Sequence, residues 1–227
     1  MAIEEWYKQL PIVTRTYVTL ASLVTVGIAL DLISEYNIYF YAPLIYEEHE
    51  YWRFFTNFLF FGKLGPDFLF HMFFLIKYSK SLEEESFRGR SADFLWMLTL
   101  GALLLTAMAH VAPVQFLGSS LTFMMVYVWS RRHRYVSLSF LGVFTFTAPY
   151  LPWVLLAFGA VVGSSPVSDI LGLITGHLYY YLEDVYPVLS GRRPIKTPKI
   201  FEALIPGERF RIQREVAAGG RREGEGH

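Results

Sequence analysis

Hydroxyl, carboxyl and imidazole side chains stand inside otherwise apolar runs of this sequence, and these groups could do chemistry. Ser119 and Ser120 follow Gly118 at the start of one run, and Asp169 and His177 lie in another. A serine becomes a nucleophile only when a base lies within hydrogen-bond reach. On a helix, Asp169 and His177 are roughly two turns apart along the axis and roughly 80° apart around it, so they cannot both serve one shallow site. The plainer interpretation of the two serines is close helix packing.

A second polar pair, Asp67 and His71, has a spacing that places both side chains on one face of a helix. Ionisable groups at membrane depth usually face the protein interior or a water-filled cavity. Asp67 would stand in the first helical turn, where a carboxylate complements the free backbone N–H groups. His71 lies more than a turn deeper and is the stronger candidate for lining a polar cavity.

Two further motifs concern the placement of the chain in a membrane. Trp52 and Arg53 precede the stretch 54–62, which is too apolar for an ordinary loop and too short to cross a bilayer. This pattern predicts a hairpin lying partly in one leaflet, with Trp52 at the interface and Arg53 reaching headgroups or backbone carbonyls; a generic interfacial anchor is the alternative. Gly172 and Gly176 form a GxxxG pattern, which favours tight helix packing.

The elements that must position these residues are apolar helices. The chain is 53% hydrophobic and only 18% charged, whereas soluble domains carry about 25% charged residues. Apolar runs alternate with short charged segments, which predicts an all-α membrane protein. Residues 191–227 are predicted to be a cytosolic, partly disordered tail. Residues 1–190 would form one domain of six transmembrane helices, with approximate bounds 15–33, 66–80, 93–110, 114–130, 136–162 and 167–187.

Charge placement predicts the orientation of this domain. The side opposite to the tail keeps few bases beyond Arg53 and Lys63. By the positive-inside rule, both termini therefore face the cytosol. In a six-helix arrangement, the side that carries the tail also carries most of the basic residues: Lys8, Arg15, Lys77, Lys80, Arg88, Arg90, Arg131, Arg132, Arg134, Arg192, Arg193, Lys196 and Lys199.

Composition also excludes several kinds of partner and cofactor. The formal net charge is zero, so no general basic field points to a nucleic acid as partner. The sequence contains no Cys, which excludes disulfides and Cys-based metal sites. We therefore predict no cofactor and no metal site.

Together these segments resemble the rhomboid superfamily, and within it the derlins of the endoplasmic reticulum. The opening Glu4-Glu5-Trp6-Tyr7 is similar to plant-type derlins. The resemblance implies a rhomboid-like bundle of six transmembrane helices with a partly embedded loop after the first. It covers most of the chain through an ordered series of motifs: Trp52-Arg53, Asn57-Phe58-Leu59-Phe60-Phe61, Leu82-Glu83-Glu84, Ser86-Phe87-Arg88-Gly89-Arg90, Tyr127-Val128-Trp129-Ser130-Arg131, Tyr150-Leu151-Pro152-Trp153-Val154 and Gly176-His177-Leu178-Tyr179.

The resemblance further implies a pseudoprotease. Active rhomboids carry Gly-x-Ser-Gly in the fourth helix; here Ser120 holds the place of the serine, but Leu121 replaces the final glycine. Aligning the sixth helix on Gly172 and Gly176 puts Asp169 at the position of the catalytic histidine. Without that base, the serine hydroxyl stays a poor nucleophile.

Other histidines do not restore the catalytic pair. His177 lies about two turns too deep, and His110 lies near the far end of the third helix with no evident partner. The second helix of active rhomboids offers His-x-x-x-Asn to an oxyanion, and here Asp67 and His71 stand there. An ionised carboxylate at that place would repel an oxyanion.

The implied function is that of a non-catalytic factor of endoplasmic-reticulum-associated degradation, placed in the endoplasmic reticulum membrane. Such a factor helps to retrotranslocate misfolded lumenal or membrane proteins to the cytosol, by local bilayer thinning and a polar lateral groove. The expected groove residues are His71, Ser119, Ser120, Asp169 and His177.

The expected partners are misfolded clients, a ubiquitin ligase complex, an AAA unfoldase, membrane lipids and further copies or relatives of the chain. The tail shows no complete unfoldase-docking box, so direct docking by that route is not expected. An active intramembrane serine protease and a channel-forming oligomer stay open as alternatives.

Overall fold

The computed structural model describes residues 2–140, 142, 144–162 and 165–205, and this part of the chain is mostly helical. A two-stranded antiparallel hairpin interrupts the helices, with β1 at Ser137–Phe140 and β2 at Phe144–Thr147. The α-helices in chain order are α1 Ala2–Lys8, α2 Ile12–Ala29, α3 Ala42–Glu47, α4 Arg53–Thr56, α5 Pro66–Ser81, α6 Ser91–Ala109, α7 Gly118–Arg132, α8 Leu151–Val162, α9 Pro166–Tyr180, α10 Tyr186–Ser190 and α11 Lys199–Leu204.

Helix α7 lies at the centre of the bundle. All side chains of residues 120–130 are buried, as expected for a helix that is surrounded by others. Helices α5, α6, α8 and α9 pack around it, and α9 makes the most extensive contact. The small and hydroxylated residues at the start of α7 therefore lie among other helices.

Two helices are long and apolar enough to cross a membrane by length and composition, Ile12–Ala29 and Ser91–Ala109. A shorter apolar helix covers Ala148–Val161. Helices α5, α7 and α9 are also shorter, with 16, 15 and 15 residues. The mostly helical fold agrees with the predicted class, and the count of six spans stays a prediction.

The predicted fifth helix, 136–162, is wrong in its first half. Residues 137–147 instead form the hairpin, with Ser137 opposite Thr147 and Leu138 opposite Phe146. Side chains alternate along both strands, so the Ser and Thr residues share one face while Leu138, Phe144 and Phe146 share the other. This period of two suits a strand better than a helix. The helix itself begins at Leu151, after a 3₁₀ turn at Ala148–Tyr150.

The sixth predicted helix, 167–187, is α-helical over Pro166–Tyr180 and continues through a π-helical turn at Tyr181–Val185 into α10. Gly191 then adopts a left-handed conformation, with φ at +67°, which ends the helix. Arg132 on α7 makes a bidentate ion pair with Asp184 in the π-helical turn, with Nη2–Oδ2 at 3.0 Å. This pair ties the two helix ends together.

The first part of the predicted tail is not free chain. Ile195 and Ile205 pack against the core, and Phe201 of α11 contacts Trp96 of α6. Apolar burial offsets the entropy lost on ordering, which explains why this segment folds despite its bases and prolines. The rest of the predicted tail, 206–227, lies outside the described residues.

Candidate functional site

A cavity of about 660 Å³ opens where the start of α5, the end of α6 and the start of α7 meet. Aromatic side chains, including Phe40, Phe61 and Phe116, form part of its wall. The polar residues that line it include Asp67, His71, His110, Gln115, Ser119, Ser165 and Ser168. An apolar wall with a few convergent polar groups is the usual character of a binding site.

His71 and Asp67 form a pair on one face of α5. The His71 Nε2 atom lies 3.6 Å from Asp67 Oδ1, and Asp67 is much the more exposed of the two. Phe61 and Phe70 lie next to the imidazole, with ring centroids 6.4 and 6.3 Å away. The pair therefore places an imidazole and a carboxylate at the cavity wall.

The two serines at the start of α7 face different surroundings. Ser119 lines the cavity, whereas Ser120 is fully buried. The Ser120 Oγ atom has no hydrogen-bond partner within the described residues. Of the two hydroxyls, the structure thus offers only that of Ser119 to the cavity.

Helix α9 covers Ser120 because Gly172 brings its backbone close to α7. A Cβ added at Gly172 would lie 2.8 Å from the Phe123 Cβ atom and closer still to the Ser120 carbonyl oxygen. One turn later, a Cβ added at Gly176 would lie 2.9 Å from the Tyr127 Cβ atom. Only glycine permits this approach without displacing the two backbones.

Asp169 and His177, which the sequence assigned to the same groove, are not among the described residues that line the cavity. Asp169 is half-buried in the first turn of α9. His177 is exposed further along α9, and its Nδ1 atom lies 2.6 Å from the Tyr127 hydroxyl oxygen in a hydrogen bond. The structure therefore joins His71 and Ser119 at one cavity and separates Ser120 and His177 from it.

Arg53 organises the loop between α2 and α5. Its side chain is only 3% exposed, although it carries a charge. Its Nη1 atom donates to the carbonyl oxygens of Tyr36 and Tyr39, at 2.8 and 3.0 Å, and its Nε atom donates to Glu50 Oε2 at 2.5 Å. The guanidinium also lies 5.0 Å from the centre of the Tyr39 ring. Of the two partners expected for Arg53, the structure shows the backbone carbonyls.

Trp52 contacts the same loop from its surface. Its indole Nε1 atom donates to the Asn37 carbonyl oxygen at 3.1 Å, while 51% of the residue stays exposed. Asn57 completes the loop by donating to the Arg53 and Phe54 carbonyl oxygens. An amphipathic ring with its polar edge bonded and its apolar body exposed suits a membrane interface.

Sequence reasoning missed several residues of the cavity. His110, expected to lack a partner, makes a hydrogen bond with the Tyr46 hydroxyl at 3.1 Å, and its Nδ1 atom lies 2.8 Å from the Thr106 carbonyl oxygen. Ser168 and Gln115 line the cavity as well. Ser168 directly precedes Asp169, so its position in the same polar motif was an available signal. No signal of this kind marks Gln115.

The described residues contain no group of three or more His, Asp or Glu side chains that could hold a metal ion. The cavity's polar groups are instead a mixture of hydroxyl, imidazole, amide and carboxylate side chains. Such a mixture can exchange hydrogen bonds with a polar chain that enters the cavity.

Comparison with known proteins shows the family. The model of the Der1-like family matches residues 10–199. Derlin-2.2 of Arabidopsis thaliana is 54% identical over 218 residues, which cover 91% of this chain and 89% of the relative. Derlin-2 of Oryza sativa subsp. japonica is 52% identical, with 96% and 92% covered. A probable derlin-2 homolog of Dictyostelium discoideum is 47% identical, with 90% and 84% covered.

The chain therefore belongs to the Der1-like family. The resemblance to derlins inferred from the sequence motifs is confirmed, including its plant character.

Proposed function

We propose that this chain is a non-catalytic, rhomboid-like factor of endoplasmic-reticulum-associated degradation. It would lie in the endoplasmic reticulum membrane with both termini in the cytosol, and help misfolded lumenal or membrane proteins to reach the cytosol. Membership in the Der1-like family supports the general role. The burial of Ser120 beneath α9 is the observation that carries the non-catalytic part of the proposal.

The chemistry at Ser120 argues against a protease. Its hydroxyl is fully buried and has no hydrogen-bond partner in the described part of the chain. A serine needs an adjacent base to become nucleophilic, and a substrate carbonyl must reach its oxygen. The sixth helix offers Asp169 where active rhomboids carry the base, and a carboxylate there does not replace an imidazole.

The short central helix α7 supports a thinned bilayer around the protein. At a rise of 1.5 Å per residue, the 15 residues of α7 extend only about 22 Å, whereas the hydrocarbon core measures about 30 Å. Helices α5 and α9 each continue into a π-helical turn, so α7 carries this point. As a span of the six-helix bundle, α7 would require the bilayer to thin beside it. A thinner barrier shortens the path of a client chain through hydrocarbon.

The cavity supplies the polar part of that path. Each unsatisfied backbone group costs several kcal/mol in hydrocarbon. His71 and Ser119, together with Asp67 and Ser168, would exchange hydrogen bonds with such groups and lower this cost. Arg53 would hold the loop that borders the cavity.

Cytosolic partners would complete the process. We infer a ubiquitin ligase complex and an AAA unfoldase on the side that carries most of the bases, and association with further copies or relatives of the chain. The part of the tail in which an unfoldase-docking box would be sought, 206–227, lies outside the described residues.

A degradation chase of a misfolded endoplasmic reticulum client tests the proposal. Derlin-deficient cells receive wild type, Ser120→Ala, His71→Leu, or Trp52→Ala with Arg53→Ala, matched for protein level. We expect Ser120→Ala to restore degradation like wild type. His71→Leu should slow it because the cavity loses a polar group, and the double variant should fail to restore it.

Failure of Ser120→Ala at normal expression, with client cleavage only by wild type, would make the chain a protease. Labelling by a fluorophosphonate that disappears in Ser120→Ala would lead to the same conclusion. Ion flux through the purified chain in liposomes would instead favour the channel.

A further inference from the structure

Residues 192–205 form a segment that runs back along the bundle, and we name it the C-terminal strap. Thr197 Oγ1 donates to Asp93 Oδ1 at 2.7 Å, which fixes the middle of the strap to the first turn of α6. Further along, the rings of Phe201 and Trp96 lie 5.0 Å apart. Ile195 and Ile205 pack against the core at either end. The strap is therefore held at four points along its length.

The contact with Trp96 places the strap at the side of α6. Trp96 lies five residues after Ser91, the first residue of α6, so it is about 7.5 Å along the helix axis. Helix α11 thus lies beside the first turns of α6 and not beyond its end. Helix α6 also packs against α2, α7 and α9, and the strap adds a further neighbour to it.

Helix α11 exposes two large aliphatic side chains on the side that does not contact α6. Ile200 and Leu204 are spaced four residues apart and share one side of the helix. They are 72% and 71% exposed, although Phe201 beside them is packed. Two large aliphatic side chains on one short helix, at the depth of Trp96, would meet lipid in the six-helix arrangement.

The charged residues around these two side chains favour a lipid surface with anionic headgroups. The strap carries exposed bases at Arg192, Arg193, Lys196 and Lys199, against one carboxylate at Glu202. Bases beside an interfacial helix are attracted to the anionic headgroups of the cytosolic leaflet. The exposed bases and the exposed aliphatic side chains of the strap both favour an anionic lipid surface as the partner.

We propose that the C-terminal strap is an interfacial segment, which inserts Ile200 and Leu204 into the cytosolic leaflet while its bases contact anionic headgroups. This inference rests on the membrane arrangement of the proposed function. The strap then holds Ile205, from which the chain continues, at the membrane surface beside α6.

Single-cysteine labelling tests the proposal, because the native chain contains no Cys. The full chain with Ile200→Cys, Leu204→Cys, Glu202→Cys or Leu103→Cys is labelled with an environment-sensitive fluorophore. Leu103 is 60% exposed on α6 and serves as the reference for a spanning helix. Each protein is reconstituted into phosphatidylcholine vesicles with or without phosphatidylserine, and is quenched by brominated lipid or by aqueous iodide.

We expect brominated lipid to quench the labels at 200 and 204, and iodide to reach the label at 202. The strap proposal alone would be overturned if iodide quenched the labels at 200 and 204 as strongly as the label at 202, while brominated lipid still quenched the label at 103. A label at 103 that brominated lipid does not quench would overturn the spanning arrangement. Lys196→Gln with Lys199→Gln should reduce lipid quenching at 200 in phosphatidylserine vesicles, and an unchanged signal would overturn the role of the bases.

Discussion

Replacing Arg53 by Ala should destabilise the loop between α2 and α5. The change leaves the carbonyl oxygens of Tyr36 and Tyr39 without the donor that each has at 2.8 and 3.0 Å. Both hydrogen bonds are only partly buried, so each contributes a net of about 0.5–1.5 kcal/mol to the free energy of unfolding, and the two together contribute about 1–3 kcal/mol. Glu50 is excluded from this sum, because its side chain is 26% exposed and water can solvate it.

The expected loss can be measured as a change in melting temperature. For a protein of this size, 1 kcal/mol corresponds to about 2–4 °C, so Arg53→Ala should melt at least about 2 °C below wild type. The assay is size-exclusion chromatography of a fluorescent fusion in detergent after heating to a series of temperatures. Membrane proteins often unfold irreversibly, so all variants must be heated for the same time.

Two control variants separate the hydrogen bonds from the charge. Arg53→Lys keeps the charge but carries all its donors on one nitrogen and cannot reproduce the separate Nε and Nη1 positions, so its melting temperature should lie between those of wild type and Arg53→Ala. Arg88→Ala removes an exposed arginine and should change stability by less than about 0.5 kcal/mol. If Arg53→Ala has the same melting temperature as wild type, the two carbonyl oxygens do not depend on Arg53, and the reasoning is refuted.

Three further predictions concern helix packing and can be measured in the same assay. Gly172→Ala should lower the free energy of unfolding by about 1–3 kcal/mol, because the added methyl group overpacks the contact with α7. Gly65→Ala is the control and should be tolerated, since the nearest atom to its added Cβ would be 3.8 Å away. Equal melting temperatures of the two variants would contradict the close approach of α9. Glu83→Gln should lower the free energy of unfolding by about 1–3 kcal/mol, because the buried Glu83 carboxylate accepts two backbone N–H groups at the start of α2. Exposed Glu84→Gln is the control, and an equal loss of stability in that variant would contradict the role of these two hydrogen bonds. Ser120→Ala removes a hydroxyl without a partner among the described residues, so a clear loss of stability would show that the hydroxyl is bonded.

Several helices could be predicted closely from local sequence signals. Pro66 stands at a position that is favourable for a helix start, and the predicted second helix, 66–80, agrees with Pro66–Ser81. The third, 93–110, agrees similarly with Ser91–Ala109, because charged residues precede a continuous apolar run. These boundaries depend on residues close together in the chain, and local physics is sufficient for them.

The hairpin and the strap could not be predicted in this way. Apolar content alone made 136–162 look like one helix, whereas the alternation around Leu138 and Phe146 belongs to a pair of strands. The strap has the polar composition of a free tail, and only Trp96 on a distant helix gives Phe201 a surface to pack on. Such long-range contacts leave no periodic signal in the segment itself.

The sequence by itself determined that this chain has an apolar, membrane-type helical fold of the derlin kind, since composition, glycine spacing and motif order are properties of the chain alone. Only the tertiary structure decided that Ser119 faces the cavity while Ser120 lies buried where α9 packs on α7, and that Arg53 donates to the backbone carbonyls of Tyr36 and Tyr39. Neighbouring residues on a helix point in directions about 100° apart. Which of them meets a cavity therefore depends on where α9 packs against α7, and that contact joins residues about fifty positions apart in the chain.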